Sequence, residues 1–389
     1  MPERGPITAR YLANLLRAYA ADPIEGEEFV PLLEIGLPDP TGQLEGLRIA
    51  GRRLLPPTRP LRSAALTVDP FVTRGAAVAA GRGARPGAVY HVVGANLPLA
   101  SNLPVVATLL DLAPWELPHV YQANPSSQFG ERLRARLLRD ARLIVGSKSV
   151  AVAAERKLHV PASRIHVVPL AASPAAAACR GHAGAMAGAV AAERKLLGLP
   201  ERYLLLATRY DARADIPTLL DALGALASRP RPASLPAGVP WPPALLAAGT
   251  GLDDHAALAR AATRRGAGEG LFHAPRLSEV RQATLMAGAW ALVHPAVSDA
   301  AGAAAVDAIA CGTPVVASGV GALPEVVGGA GLLVEPRDPE RMARAVETIW
   351  TDGALRAKLA GAAVSRARGL PDWPEVARLT RAVYAAALG

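Results

Sequence analysis

The sequence predicts an α/β protein built from two Rossmann-like, doubly wound domains in tandem. Three observations carry this expectation. Compact apolar runs of strand length alternate with segments of helical period in both halves of the chain, the pattern of parallel sheets covered on both faces. A stretch of small residues interrupts the alternation, which then restarts. Finally, 389 residues exceed what one ordinary core organises.

Residues 8–21 place apolar side chains at helical spacing and predict the first helix. Residues 29–37 form an apolar run that stops at Pro38-Asp39-Pro40. Residues 87–93 and 104–112 read as buried strands, 131–142 as a basic helix, 143–149 as a strand and its exit, and 164–170 as a further strand. Residues 1–170 are thus the first domain. Residues 171–198 are mostly small and predict a linker, with His182 isolated in it. The second domain, 199–370, restarts with a strand at 202–211 and a helix at 216–227. It continues with a strand running into a glycine turn at 244–251, a helix at 277–289, a strand at 290–296, a helix at 303–312, and short strands at 313–318 and 331–335. Residues 371–389 predict a closing helix that crosses back to the first domain.

The chain is 51% hydrophobic and 19% charged, which excludes a disordered protein. A net charge of +9 favours anionic ligands such as nucleotides or phospholipid head groups, or reflects only an arginine-rich, soluble surface. No aromatic-interleaved basic motif points to nucleic acid. Cys179 and Cys311 lie far apart without metal-ligand or redox spacing, so a reducing cytoplasm is the expected compartment. No basic-then-apolar signal peptide is read at the start and no uninterrupted apolar run has membrane-spanning length, so any membrane contact is expected to be peripheral. A basic helix with Arg132, Arg134, Arg136, Arg139 and Arg142 either meets anionic lipid or forms a solvated face.

The stretch from His294 to Ser318 holds two acids, Asp299 and Asp307, eight positions apart around an Ala/Gly loop. Small residues let a ligand approach the backbone, and amides at a helix start attract phosphate. Asp307 can reach sugar hydroxyls on this reading. On the other reading Asp299 is a helix N-cap and Asp307 a surface acid.

This stretch, P-A-V-S-D-A-A-G-A-A-A-V-D-A-I-A-C-G-T-P-V-V, resembles the nucleotide-binding signature of GT-B glycosyltransferases of family 4 type. Residues 207–223, 277–295 and 323–346 continue the resemblance. It implies two domains facing a cleft: an acceptor-side domain, 1–170, and a nucleotide-sugar-binding domain, 199–370. It implies no cofactor and no metal, a UDP- or GDP-sugar as donor substrate, and a glycan or lipid-linked acceptor. Asp299 then contacts the sugar and Asp307 the ribose. Ala300, Ala301, Gly302 and Ala303 offer their backbone to the diphosphate, with Arg209 and Arg213 as cations and Asp111 at the end of an N-domain strand.

The departures bear on activity. Both acids are aspartates where the family has glutamates, shortening each reach by about 1.5 Å. A misplacement of about 1 Å can cost around 10²-fold in rate. Ala214 stands where the family has a phosphate-binding lysine, Leu110 where it has a histidine, and Thr8 and Ala9 where it has loop glycines. Seven residues up to Ile7 leave little for the family's first strand. Two functions follow: a retaining glycosyltransferase, or a catalytically degenerate relative serving as a binding or scaffold partner.

Overall fold

The structure is a computed structural model. It describes residues 6–35, 39, 41–42, 44–56, 58, 61–62, 65, 87–94, 97–99, 101, 103–180, 186–208, 210–248, 252–274 and 277–389. Residues 1–169 with 371–389 form one compact unit and 170–370 the other. Arg209, His182 and the glycine turn at 249–251 lie outside the described residues.

The first unit opens with α1 (Pro6–Ala21) and a short parallel pair, β1 (Leu32–Glu34) and β2 (Arg53–Leu55). Its main sheet holds β3 (Tyr90–Val93), β4 (Val105–Leu109), β5 (Arg142–Val145) and β6 (Ile165–Val167), all parallel and in that order. Leu109, Leu143, Ile144 and Val145 are buried, which is why these strands read as unbroken apolar runs. Two crossover helices follow the pattern, α2 (Pro125–Asp140) and α3 (Lys148–Leu158). Asn124 and Ser127 close a capping box at the start of α2, so this helix begins before the basic run that signals it.

The predicted basic face does not hold together. Arg134 lies 4.7 Å from the Trp115 ring centre and pairs with Glu131 at 3.4 Å. Arg139 donates to the Leu158 carbonyl at 3.0 Å, and Arg142 opens β5 instead of ending the helix. Arg132 and Arg136 are exposed on α2.

The last helix, α12, takes its number from those of the second unit before it. It spans Trp373–Leu388 and packs on α1, with Tyr11 edge-on to Trp373 at 5.5 Å between ring centres. Beneath this contact a polar chain threads the unit. Tyr19 hydroxyl donates to Tyr384 at 3.1 Å, Tyr384 hydroxyl to His91 Nδ1 at 2.6 Å, and His91 Nε2 to Thr108 Oγ1 at 2.8 Å. Burial pushes the His91 pKa down to about 4, so the ring is neutral and both nitrogens are satisfied.

The second unit begins in the stretch whose composition suggests a linker. It contains two helices instead, α4 (Pro174–Ala178) and α5 (Ala187–Leu197). Ser173 caps α4 by accepting the Ala176 amide at 3.2 Å, and Glu193 of α5 takes both ends of the Arg281 guanidinium at 2.7 and 2.8 Å. Alanine hides the helical period from a hydrophobicity count while favouring the helix itself.

The unit then folds into a six-stranded parallel sheet. Its strands are β7 (Leu204–Leu206), β8 (Leu245–Ala248), β9 (Leu271–Ala274), β10 (Ala291–His294), β11 (Val315–Ser318) and β12 (Gly331–Val334). The crossover helices are α6 (Ile216–Ala227), α7 (Leu252–Arg264), α8 (Glu279–Gly288) and α9 (Ala303–Ala310). Two further helices, α10 (Pro339–Thr351) and α11 (Gly353–Ala367), close the unit. The strand order is β12-β11-β10-β7-β8-β9. The chain therefore builds outward from β7, then returns beside it at β10. Ligands in such sheets bind at the carboxyl ends of strands where the order reverses, here between β7 and β10. Among the described residues no helix is long and apolar enough to cross a membrane.

Candidate functional site

The loops leaving β7 and β10 meet at that reversal. Asp215 amide donates to the Pro295 carbonyl at 3.1 Å and Val297 amide to the Arg213 carbonyl at 2.8 Å. Ala214 and Ala296 form the antiparallel bridge between them. Ala214 is 8% exposed, so the position without a lysine is a packed wall. Arg213 does not stand in for that lysine freely, because its guanidinium grips Asp211 at 2.5 Å.

Beyond Val297 the chain turns into α9 under the control of Asp299. One carboxylate oxygen accepts the amides of Ala301 at 3.0 Å and Gly302 at 2.7 Å. The other pairs with His294 Nε2 at 2.8 Å. Burial raises the Asp299 pKa, but the His294 hydrogen bond, its charge and the two amides outweigh this and hold it below the usual value. Nδ1 of His294 is buried without a hydrogen-bond partner. Gly302 enters the helix at φ +63°, and Gly321 packs so closely that a Cβ there would lie 1.9 Å from the Asp299 carbonyl oxygen. The loop expected to offer its backbone is thus closed on itself. The Ala301 and Gly302 amides are used by Asp299, Ala300 and Ala301 are each 4% exposed, and only Ala303 of the four expected positions is half-buried.

Asp307 is not a surface acid. It is 6% exposed on α9, and its carboxylate accepts the Ser173 amide at 2.8 Å, fixing the residue that caps α4. The two cysteines also meet here, contrary to their separation in sequence. The Cys179 and Cys311 thiols lie together beside Asp307, each donating to a carbonyl, Ala175 at 3.3 Å and Ala283 at 3.8 Å, and the neighbouring thiol with burial raises the Cys311 pKa. Neither pairing has a local sequence signal, since both join α4 and its caps to α9 across more than a hundred residues.

Asp111 lies in the other unit, where its carboxylate accepts the Ala113 amide at 2.8 Å just ahead of the short helix Ala113–Glu116. Thr8 is buried in the first turn of α1. Among the described residues, no group of three or more His, Cys, Asp or Glu side chains could hold a metal ion.

A cavity of about 390 Å³ beside the β7–α6 loop joins Ala214, which the sequence singled out, to residues that sequence reasoning missed. Tyr210, Asp211, Ala214, Asp215, Val297 and Arg337 are among those lining it. Arg337 follows β12 and has φ +60°, a left-handed conformation that side-chain-bearing residues seldom adopt. Asp215 holds it there by accepting the Arg337 amide at 2.7 Å.

A parallel six-stranded sheet with its switch point at β7/β10, paired with a second parallel-sheet unit, is the GT-B glycosyltransferase fold. Residues 202–352 match the family model described as glycosyl transferases group 1. The chain thus has the GT-B fold, and residues 202–352 of its second unit are similar to the group 1 glycosyl transferases. It is 35% identical over 202 residues to D-inositol 3-phosphate glycosyltransferase of Streptomyces griseus, a match covering 51% of this chain and 42% of the relative. The enzyme of the same name from Frankia alni is 38% identical over 132 residues, covering 33% of this chain and 32% of that one. The chain therefore matches less than half the length of these relatives. Among solved structures, sucrose-phosphate synthase from Thermosynechococcus elongatus superposes with a TM-score of 0.67 at 21% identity, covering 97% of this chain and 93% of that one. Anabaena Alr3699/HepE in complex with UDP and glucose gives a TM-score of 0.68 at 17% identity, covering 98% of this chain and 96% of that one.

Proposed function

We propose that the protein transfers a sugar from a nucleotide-sugar donor to an acceptor hydroxyl, with the donor held by the 170–370 unit. The observation that carries this reading is the acid-bearing loop and helix at the carboxyl end of β10, at the switch point, within the segment that matches the group 1 family. The solved relative that binds UDP and glucose supports a nucleotide-sugar as the donor. Retention of anomeric configuration follows from the family resemblance, as does a glycan or lipid-linked acceptor.

Chemically, the departing nucleoside diphosphate needs positive charge or amides where its negative charge develops. Arg209 is the cation assigned to it by position. Sugar contact by Asp299 and ribose contact by Asp307 both require hydrogen bonds seen here to be exchanged for ligand bonds. The two acids otherwise serve by shaping the loop and fixing α4. Arg132 and Arg136 remain for contact with an anionic membrane surface, which sedimentation with anionic vesicles at low salt tests.

A second reading, a degenerate GT-B protein serving as a binding partner, is favoured by one observation. Ala214 is bridged to Ala296, and the Ala301 and Gly302 amides are already used. Calorimetric titration with UDP, GDP and ADP, then with their sugar conjugates, separates the two. Binding of one nucleotide that is lost in Asp307→Ala supports the transferase. Absence of binding to all of them refutes it.

A further inference from the structure

We propose that Arg337 is the cation of a diphosphate subsite in the second unit, standing in for the lysine that Ala214 replaces. The inference rests on the transferase reading for its natural ligand, a nucleoside diphosphate group, but not for the subsite itself.

Four observations converge. Arg337 and Ala214 line the same cavity beside the β7–α6 loop. Arg213, the neighbouring cation on the β7–α6 loop, does not line the cavity and is held by Asp211 through contacts of 2.5 and 3.2 Å. The Arg337 guanidinium has no hydrogen bond or ion pair to any described residue, although its backbone amide is fixed by Asp215 at 2.7 Å. Finally, Arg337 occupies φ +60°, where glycine would be free of strain. Arg337 is exposed at the edge of the cavity, so an unpaired arginine on a left-handed backbone there is a feature that packing does not require.

The local charge is consistent with an anion. Two acids face the cavity, Asp211 and Asp215. The first is neutralised by Arg213, and the second directs one oxygen to the Arg337 amide. Among the described residues that line the cavity, Arg337 is the one base. Its planar fork can take two oxygens of a phosphate at once, which a lysine cannot. It approaches from the β12–α10 loop, so the charge returns to the site from a different element than the one that lost it.

The test is calorimetric titration of the full chain with inorganic pyrophosphate, UDP, GDP, ADP and uridine, in wild type, Arg337→Gly and Arg213→Ala. Glycine suits the left-handed backbone, so Arg337→Gly should keep or raise the thermal midpoint. The same variant should weaken pyrophosphate and the preferred nucleoside diphosphate by roughly tenfold or more, the range for a lost charge-assisted contact. Arg213→Ala should weaken them less, and uridine should be indifferent to both changes. Equal pyrophosphate and diphosphate affinities in wild type and Arg337→Gly overturn the subsite and leave the transferase reading standing. Arg337-dependent binding of pyrophosphate with no nucleotide binding keeps the subsite and removes that reading. No binding of either probe to the wild type overturns both.

Discussion

Replacing Asp299 by alanine should destabilise the second unit severely, and replacing it by asparagine much less. Alanine removes the acceptor for the Ala301 and Gly302 amides, at 3.0 and 2.7 Å, and the partner of His294 at 2.8 Å. Each bond to a charged group contributes about 1.5–3 kcal/mol, and an abandoned buried donor costs about 1–3 kcal/mol. His294 is 6% exposed and its Nδ1 is already without a partner, so the ring would then have none. The expected loss is about 4 kcal/mol for Asp299→Ala. Asparagine keeps an oxygen for both amides and can offer its NH₂ to the other histidine tautomer, so about 1–2 kcal/mol is expected. A two-unit chain need not unfold in one step. The assay is therefore amide hydrogen exchange at Ala301 and Gly302, with urea unfolding alongside. Unchanged protection of these amides in Asp299→Ala, with a stability change under about 1 kcal/mol, would refute the clamp. The pH dependence has a definite sign. The folded-state pKa of Asp299 is lowered, so its contribution is present above the unfolded pKa and disappears as pH falls through the folded value.

Three further outcomes follow from the same reasoning. Asp307→Ala leaves the Ser173 amide without its acceptor, so protection of Ser173 and α4 should fall and stability should drop by about 1–3 kcal/mol, read by exchange and thermal melting. His91 stays neutral with its pKa at about 4, below the ordinary 6.5, so the unfolded chain takes up a proton that the folded one refuses. Stability of the first unit should fall by up to about 3 kcal/mol as pH drops from 6.5 to 4, and His91→Gln should flatten that slope in urea titrations. Gly321→Ala places a Cβ 1.9 Å from the Asp299 carbonyl oxygen at φ +55°, and should cost at least about 2 kcal/mol or abolish soluble expression.

The strands on which the fold rests were legible because each is apolar through its whole length. Leu204–Leu206, Ala291–His294 and Val315–Ser318 are buried residue by residue. The edge strand Leu271–Ala274 was not, because it is short, only partly buried and interrupted by His273. Residues 171–198 misled because alanine carries helix propensity without hydrophobic contrast, and the Glu193–Arg281 pair that secures α5 is remote in sequence. The acid spacing pointed to the loop that leaves β10 beside the switch point. It could not show which way the carboxylates turn, since Asp299 and His294 meet only once β10 ends and the chain doubles back. Arg337 was invisible for a similar reason, because its significance lies in a backbone angle and in a cavity shared with residues more than a hundred positions earlier.

The polypeptide enters the second unit near residue 170 and leaves it near residue 370, and the first unit is completed only by residues 371–389. Synthesis therefore delivers the parts out of order. The 170–370 unit has all its strands while the earlier one still lacks α12, the helix that packs on α1 and supplies Tyr384 to His91. On the ribosome the half made first must wait with an open face and an unsatisfied histidine for the half made second. Any stall or cleavage past residue 370 releases a finished second unit attached to an unfinished first one.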